Sequence, residues 1–318
     1  MKAGSETRSV EWLRKEISEL KKKKNALIMA HYYQRDEIQE IADFIGDSLA
    51  LARQAAKTDA DIIVMCGVHF MGETAKILCP DKKVLIPDTK AGCSLADSCD
   101  PVEFKKFVES HPEYTVISYV NTSAAVKALT DIVVTSGNAR QIVEKLPEDE
   151  KIIFGPDHNL GEYINSVTGR RMLLWNGACH VHDRFSLEKI IEMKKSHPGA
   201  KILVHPECRR PLQLIADKVG STAALLDFAQ KDEAKEYIVV TESGILFEMR
   251  NKCPHKTFLA APAEDAECQC NECDFMKMNT LQKVYECLRD EAPEIIVEEG
   301  VAEKAVKPIK RMLEMSEK

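Results

Sequence analysis

Three short stretches place ionisable or hydrogen-bonding side chains two residues apart: His31-Tyr32-Tyr33, Tyr119-Val120-Asn121 and His205-Pro206-Glu207. Each follows an apolar run, and their first residues lie 88 and 86 positions apart. A period of two aims the outer residues of each triplet at one face of an extended chain. Some 60 to 68 residues after each triplet comes a cysteine that follows another apolar run: Cys93, Cys179 and Cys273. Thiolates ligate metals and clusters, and histidine beside carboxylate moves protons. If the three stretches converge, the chemistry is that of a metal or cluster with an acid/base set beside it. Unrelated strand ends with incidental polar residues are the alternative reading.

The chain holds eleven cysteines. Cys66, Cys79, Cys208 and Cys287 fall within or at the edge of strand or helix patterns and read as small buried hydrophobes. Cys99, Cys253 and the Cys268/Cys270 pair stay unassigned. An odd count argues against a disulfide framework. There is no compact Cys-x2-Cys-x2-Cys-x3-Cys run. The one Cys-x-x-Cys, Cys270/Cys273, lacks the second knuckle of a structural zinc site and the helical context of a thioredoxin motif. Widely separated single cysteines fit a [4Fe–4S] cluster held at a centre between modules. Three ligands for four irons leave one iron open to act as a Lewis acid.

The elements that position these residues follow from the apolar pattern. Residues 9–24 are predicted to form an amphipathic helix closed by Lys21–Lys24, whose charges suit a helix C-terminus. Strands are predicted at Ala26–Ala30, Ile62–Met65, Lys83–Ile86, Tyr114–Ser118, Ile132–Thr135, Ile152–Phe154, Arg171–Leu174, Lys201–Val204, Tyr237–Val240 and Thr257–Leu259. Helical patterns cover 37–57, 70–78, 138–146, 186–196, 222–230 and 279–289. Short buried strands alternating with helices indicate parallel α/β sheets. In such sheets ligands bind beyond the carboxyl ends of strands, where the triplets and cysteines lie. A strand beginning with or following an acidic residue also recurs, in DIIVMCG, DIVVTSG and EYIVVTESG. Modules are expected over residues 1–110, 111–197 and 198–300, with a last helix, 302–316, packing back on the first.

With 44 basic against 51 acidic side chains the net charge is −7, which gives nucleic-acid binding no electrostatic support. No G-x-G-x-x-G follows a strand and no Walker A run occurs. The polar start and the absence of a long apolar run lead us to expect a cytoplasmic protein with no membrane partner.

The segments AHYYQ, ADFIGDSLALA, FMGETAKILCPDKKVLIPD, AGCSLADSC, SYVNTSAAVKA, TSGNA, NGACHVHDRF, VHPEC, VGSTAALL, TESGIL and CDFMKMNTL resemble those of the quinolinate synthase family. The resemblance covers nearly the whole chain after the first helix. It implies three similar αβα modules in pseudo-threefold arrangement around a central active site. It also implies a [4Fe–4S] cluster on Cys93, Cys179 and Cys273, with Cys270 as the alternative third ligand. Some members carry Cys-x-x-Cys-x-x-Cys there, where this chain has Cys268-Gln-Cys270-Asn-Glu-Cys273. The implied reaction condenses iminoaspartate with dihydroxyacetone phosphate to quinolinate, with loss of phosphate and water, on the route to NAD. A functional link to the enzyme supplying the imine would follow.

Such a reaction needs grips for anions, an acid/base set and a means of drawing hydroxide off carbon. Ser48, Ser136 and Thr222 open helical patterns and could hold carboxylate or phosphate, a plain helix N-cap being the alternative for each. By resemblance they bind substrate together with His31, Tyr119, Asn121, His205 and Glu207. Glu207 is expected to be the base for enolisation and tautomerisation, with His205 positioning or protonating an intermediate. Tyr33 would pass protons during triose isomerisation. His182, three residues after Cys179, should lie beside the cluster, either in acid/base work or hydrogen-bonded in its support. An electron carrier or iron–sulfur scaffold, or a zinc-stabilised α/β protein, would not need this constellation.

Overall fold

The computed structural model describes residues 8–264 and 271–317; Cys268 and Cys270 lie outside them. Twelve strands form three sheets of four. They are β1 (Ala26–His31), β2 (Phe44–Gly46), β3 (Ile62–Cys66) and β4 (Lys83–Leu85); β5 (Thr115–Tyr119), β6 (Ile132–Val134), β7 (Ile152–Gly155) and β8 (Leu173–Leu174); β9 (Lys201–Val204), β10 (Lys218–Val219), β11 (Glu236–Val240) and β12 (Thr257–Ala260). The spatial orders β2-β1-β3-β4, β6-β5-β7-β8 and β10-β9-β11-β12 are one pattern used three times, and every pairing within these sheets is parallel. The inner strands are apolar on both faces because helices cover both, which is why they read as continuous runs such as Ile62–Cys66. In this order the connections leave the first strand to opposite sides, so the topological switch point lies between the first and third strands of each sheet, and the crevice beyond their carboxyl ends is where such folds bind ligands.

One aspartate in each sheet fixes the register of the edge strand. Asp43, Asp131 and Asp217 each exchange a backbone bond with the first strand, donating to Ile28, Val116 and Ile202 carbonyls. Each carboxylate in turn accepts the amide of that same residue at 2.8–2.9 Å. A second device sits eight residues past each triplet's start. Gln39 and Gln213 donate to the carbonyls of Tyr32 and Gln34, and of Pro206 and Cys208, while Lys127 donates to that of Thr122. These buried side chains satisfy loop carbonyls that would otherwise lack partners.

All ten predicted strands are present within a residue or two. β2 and β10 were not expected, because edge strands of three and two residues fall below any apolar pattern. The predicted helix 37–57 is in fact a turn of helix at Asp36–Gln39, then β2, then a helix at Ser48–Lys57 that starts where Asp47 caps Ala50. The matching of DIIVMCG, DIVVTSG and EYIVVTESG is also corrected. The first and last are third strands, β3 and β11, whereas DIVV is the edge strand β6, equivalent to β2 and β10.

The N-terminal helix Val10–Lys23 packs on helix Leu281–Asp290, with Trp12 edge-on to Tyr285 at 5.1 Å, and both cover the first sheet. The final helix Glu299–Met315 lies against helix His69–Leu78 of the first sheet and against β6 and helix Ala124–Lys127 of the second. Its end is bolted to both: Arg53 donates to the Ser316 carbonyl at 3.0 Å, and Asn138 to the Ser316 hydroxyl at 2.8 Å. Among the described residues no helix is long and apolar enough to cross a membrane.

Candidate active site where the three sheets meet

The carboxyl ends of β1, β5 and β9 carry the three triplets to one cavity. It is lined by His31, Tyr33, Tyr119, Asn121, His205 and Glu207, by Ser48, Ser136 and Thr222, and by Cys93, Cys179, His182 and Cys273. Every candidate residue read from the sequence is on that wall except Cys270, the alternative ligand, which lies outside the described residues. Val68, Phe70, Met71, Phe275 and Met276 supply an apolar side.

The hydroxyls are equivalent, five residues past Asp43, Asp131 and Asp217. They are not the helix caps. Asp47 and Ser221 cap the helices that begin at Ser48 and Thr222, so these two hydroxyls are left facing the cavity. In the second module Asn138 takes up the Thr135 amide and hydroxyl, and Ser136 is left to meet His205.

His31 and His205 are held alike. Each Nδ1 accepts the amide two residues on, from Tyr33 at 3.1 Å and Glu207 at 3.4 Å. An accepting Nδ1 leaves the proton on Nε2, and His205 Nε2 donates to Ser136 Oγ at 3.3 Å. Burial pushes both imidazoles down to about 3, so both are neutral donors at physiological pH.

Glu207 is 3% exposed. Burial works to raise its carboxyl, but His182 Nδ1 at 3.0 Å from Oε2, His205 and the Tyr119 hydroxyl on Oε1 outweigh it, so the group stays ionised. His182 stacks on His205 with ring centres 4.6 Å apart and also reaches Cys179 Sγ at 3.3 Å. From its far nitrogen a chain of hydroxyls continues, His182 Nε2 to Thr241 at 2.8 Å, Thr241 to Tyr33 at 2.8 Å, and Tyr33 to Thr222 at 2.8 Å. One assignment satisfies every partner. Thr222 donates to Tyr33, Tyr33 to Thr241, Thr241 to His182, and His182 to Glu207. Burial and the nearby Glu207 charge keep the Tyr33 and Tyr119 phenols protonated. Asn121 Oδ1 is buried with no partner among the described residues, an acceptor suited to a ligand's N–H or O–H.

The three cysteines occupy one structural position repeated three times. The residue that opens the turn after each third strand donates its amide to a carbonyl two residues before the cysteine. These bonds are His69 to Ala91 at 2.7 Å, His158 to Gly177 at 2.8 Å and Ser243 to Asn271 at 3.0 Å. Each cysteine carbonyl then begins a helical turn, accepting from Asp97, Asp183 and Lys277. Burial pushes the thiols up, Cys93 to about 12 and Cys273 to about 11, with mutual repulsion adding to it. Backbone N–H groups at those turns, of Leu95 and Ala96 and of Phe275 and Met276, point at the sulfurs and work the other way. Cys179, His182 and Glu207 also bring ligand atoms within 4.8 Å of one another, close enough to share one metal ion. Ser94 Oγ and His180 Nδ1, 2.5 Å apart, tie the first cysteine loop to the second.

The family model described as Quinolinate synthetase A protein matches residues 15–314. The chain belongs to the quinolinate synthase family. It is 54% identical over 301 residues to the quinolinate synthase of Chloroherpeton thalassium, covering 95% of this chain and 94% of that one. It is 55% identical over 300 residues to that of Microcystis aeruginosa and 54% identical over 300 to that of Thermosynechococcus vestitus, each alignment covering 94% of both chains. Family membership makes the chain an enzyme of NAD biosynthesis.

Sequence reasoning did not single out Thr241, Asp157, Glu242, Ser94 or His180. Thr241 and Glu242 lie in TESGIL just past β11, and a search for polar residues at third-strand ends would have reached them together with Asp157 past β7.

Proposed function

We propose that the chain condenses iminoaspartate with dihydroxyacetone phosphate to quinolinate, with loss of phosphate and water, on a [4Fe–4S] cluster held by Cys93, Cys179 and Cys273. The observation that carries this reading is the threefold equivalence of the cysteine loops around a cavity that also holds Glu207 and the hydrogen-bonded line behind it. The donor set fits the group: three thiols from three separate loops, each loop opening a helical turn, and no fourth cysteine on the cavity wall among the described residues. Bound there, the cluster would supply a Lewis acid at its open iron for loss of hydroxide from carbon.

The chain's own residues do the rest. Ser48, Ser136 and Thr222 offer hydroxyls at the mouths of helices, where carboxylate and phosphate are favoured. Neutral His31, neutral His205 and Asn121 add hydrogen bonds that fix which end of each substrate faces which module. Glu207, ionised and buried, takes a carbon-bound proton during enolisation and tautomerisation. His182, donating from Nδ1, stabilises the carboxylate before transfer. Thr241 and Tyr33, donating in turn toward His182, hold it in that tautomer, and Tyr33 stands on the cavity wall where triose isomerisation exchanges protons. A positioned base of this kind contributes on the order of 10²–10⁴ in rate. The enzyme that releases the labile imine is the expected functional partner.

The test is an anaerobic preparation assayed for iron, sulfide and visible absorption, then for quinolinate from the two substrates. About four irons per chain, the content of one cubane, together with product formation is the expected result. Iron without product would point to an electron carrier or scaffold. Zinc alone would overturn the cysteine assignment.

A further inference from the structure

The register of the sheets identifies a further equivalent position. Ala30 pairs with Cys66, Ser118 with Gly155, and Val204 with Val240. Counting two residues on from each third-strand partner gives Val68, Asp157 and Glu242. The last two are buried carboxylates, both at 0% exposure, and each accepts the backbone amide of its own module's cysteine. Asp157 Oδ2 meets Cys179 N at 3.2 Å, and Glu242 Oε1 meets Cys273 N at 3.1 Å. Each carboxylate is anchored by its second oxygen. Asp157 Oδ1 caps helix His158–Thr168 through Leu160 N at 2.7 Å, and Glu242 Oε2 takes Gly244 N at 2.7 Å. Lys277, one helical turn after Cys273, closes on Glu242 at 3.0 Å. In the first module Val68 stands at this position and offers no acceptor.

We propose that Asp157 and Glu242 are positioning residues that clamp the Cys179 and Cys273 loops by their amides, leaving the Cys93 loop without such a clamp. This rests on the reading of the three cysteines as cluster ligands. A buried carboxylate is costly unless its oxygens are used, and two sheets that share little sequence at this point use theirs on the same backbone atom. Preset amides fix the direction from which each sulfur approaches the iron, as outer partners do at other metal sites, where their loss costs about 10–100-fold in affinity.

The experiment compares the full chain with Asp157→Ser, Asp157→Asn, Glu242→Ala and Glu242→Gln. Each is reconstituted anaerobically with ferrous iron and sulfide, then followed for iron loss to a chelator and for the spectrum of the reduced cluster. Serine keeps the helix cap but is too short to reach Cys179 N, so it separates clamp from cap. Asparagine and glutamine keep one acceptor oxygen where the carboxylate uses two, so they hold either the cysteine amide or the anchoring amide. We expect iron to leave Asp157→Ser and Glu242→Ala about 10–100-fold faster, with altered spectra. We expect intermediate rates in the amide variants, and unchanged thermal unfolding of the iron-free Asp157→Ser protein. Equal chelation rates and spectra in all five proteins would overturn the clamp and leave the ligand assignment standing. An unaltered chain that takes up no iron would overturn the ligand assignment and the clamp with it.

Discussion

The Glu207 carboxylate accepts from the Tyr119 phenol and from His182, and a line of hydroxyls behind His182 holds that imidazole in its donating tautomer. Replacing it with glutamine keeps the shape and the Tyr119 contact but removes the base. We expect kcat to fall on the order of 10²–10⁴-fold, with iron content and visible spectrum unchanged. Normal turnover in Glu207→Gln would remove this residue from the mechanism. Thr241→Val deletes the one atom joining His182 to Tyr33. It should lower kcat while leaving KM for both substrates near its original value, whereas a comparable rise in KM would mean that Thr241 binds substrate rather than positions His182. The outer residues of the triplets were legible in the sequence because polar side chains interrupt apolar runs at a fixed spacing. Thr241, Asp157 and Glu242 were not. The corresponding third-strand position holds Val68 in one module, so no repeat is visible without the sheet register.

At the scale of elements, the loops after β1, β5 and β9 are held by Gln39, Lys127 and Gln213 in equivalent places. Two are neutral amides and one is a fully buried amine. Burial lowers the Lys127 ammonium from the free value of 10.5 to about 8. Between those values the unfolded chain binds a proton that the folded chain does not, so stability rises as pH climbs from about 8 toward 10.5 and is penalised below that window. Lys127→Gln copies the residue used in the other two modules. It should remove this pH dependence and add on the order of 1–3 kcal/mol at neutral pH, read from denaturant midpoints at pH 7 and pH 10. A loss of stability at both pH values would show that the ammonium is needed where it stands. The missed elements have a related cause. β2 and β10 are too short to show periodicity, yet the aspartate that braces each is in plain view at Asp43 and Asp217. The sequence DIVV resembles a third strand in composition because edge and inner strands of a covered parallel sheet are both apolar.

For the whole molecule, the final helix is a strap across two modules. Ala305, Ile309 and Met312 are fully buried between them. Ile309→Ala should cost about 2–5 kcal/mol by the cavity it leaves, measured by equilibrium denaturation. Because the strap joins the modules that carry Cys93 and Cys179, iron retention should fall with stability; full retention at reduced stability would mean that the cysteine loops hold together without it. That the modules repeat was legible from the triplet spacing. A return of the last helix to the first module was expected; its reach onto the second was not, since helices of similar amphipathic pattern could cover any sheet.

This return path has a consequence for biogenesis. A nascent chain that has just completed its second sheet carries two of the three cysteine loops and none of the strap. The third loop, and the helix that locks the first two sheets together, emerge from the ribosome after both. A cluster held by all three loops, as proposed, would therefore be loaded only after the third has emerged, and a chain terminated before Cys273 would have no centre to load.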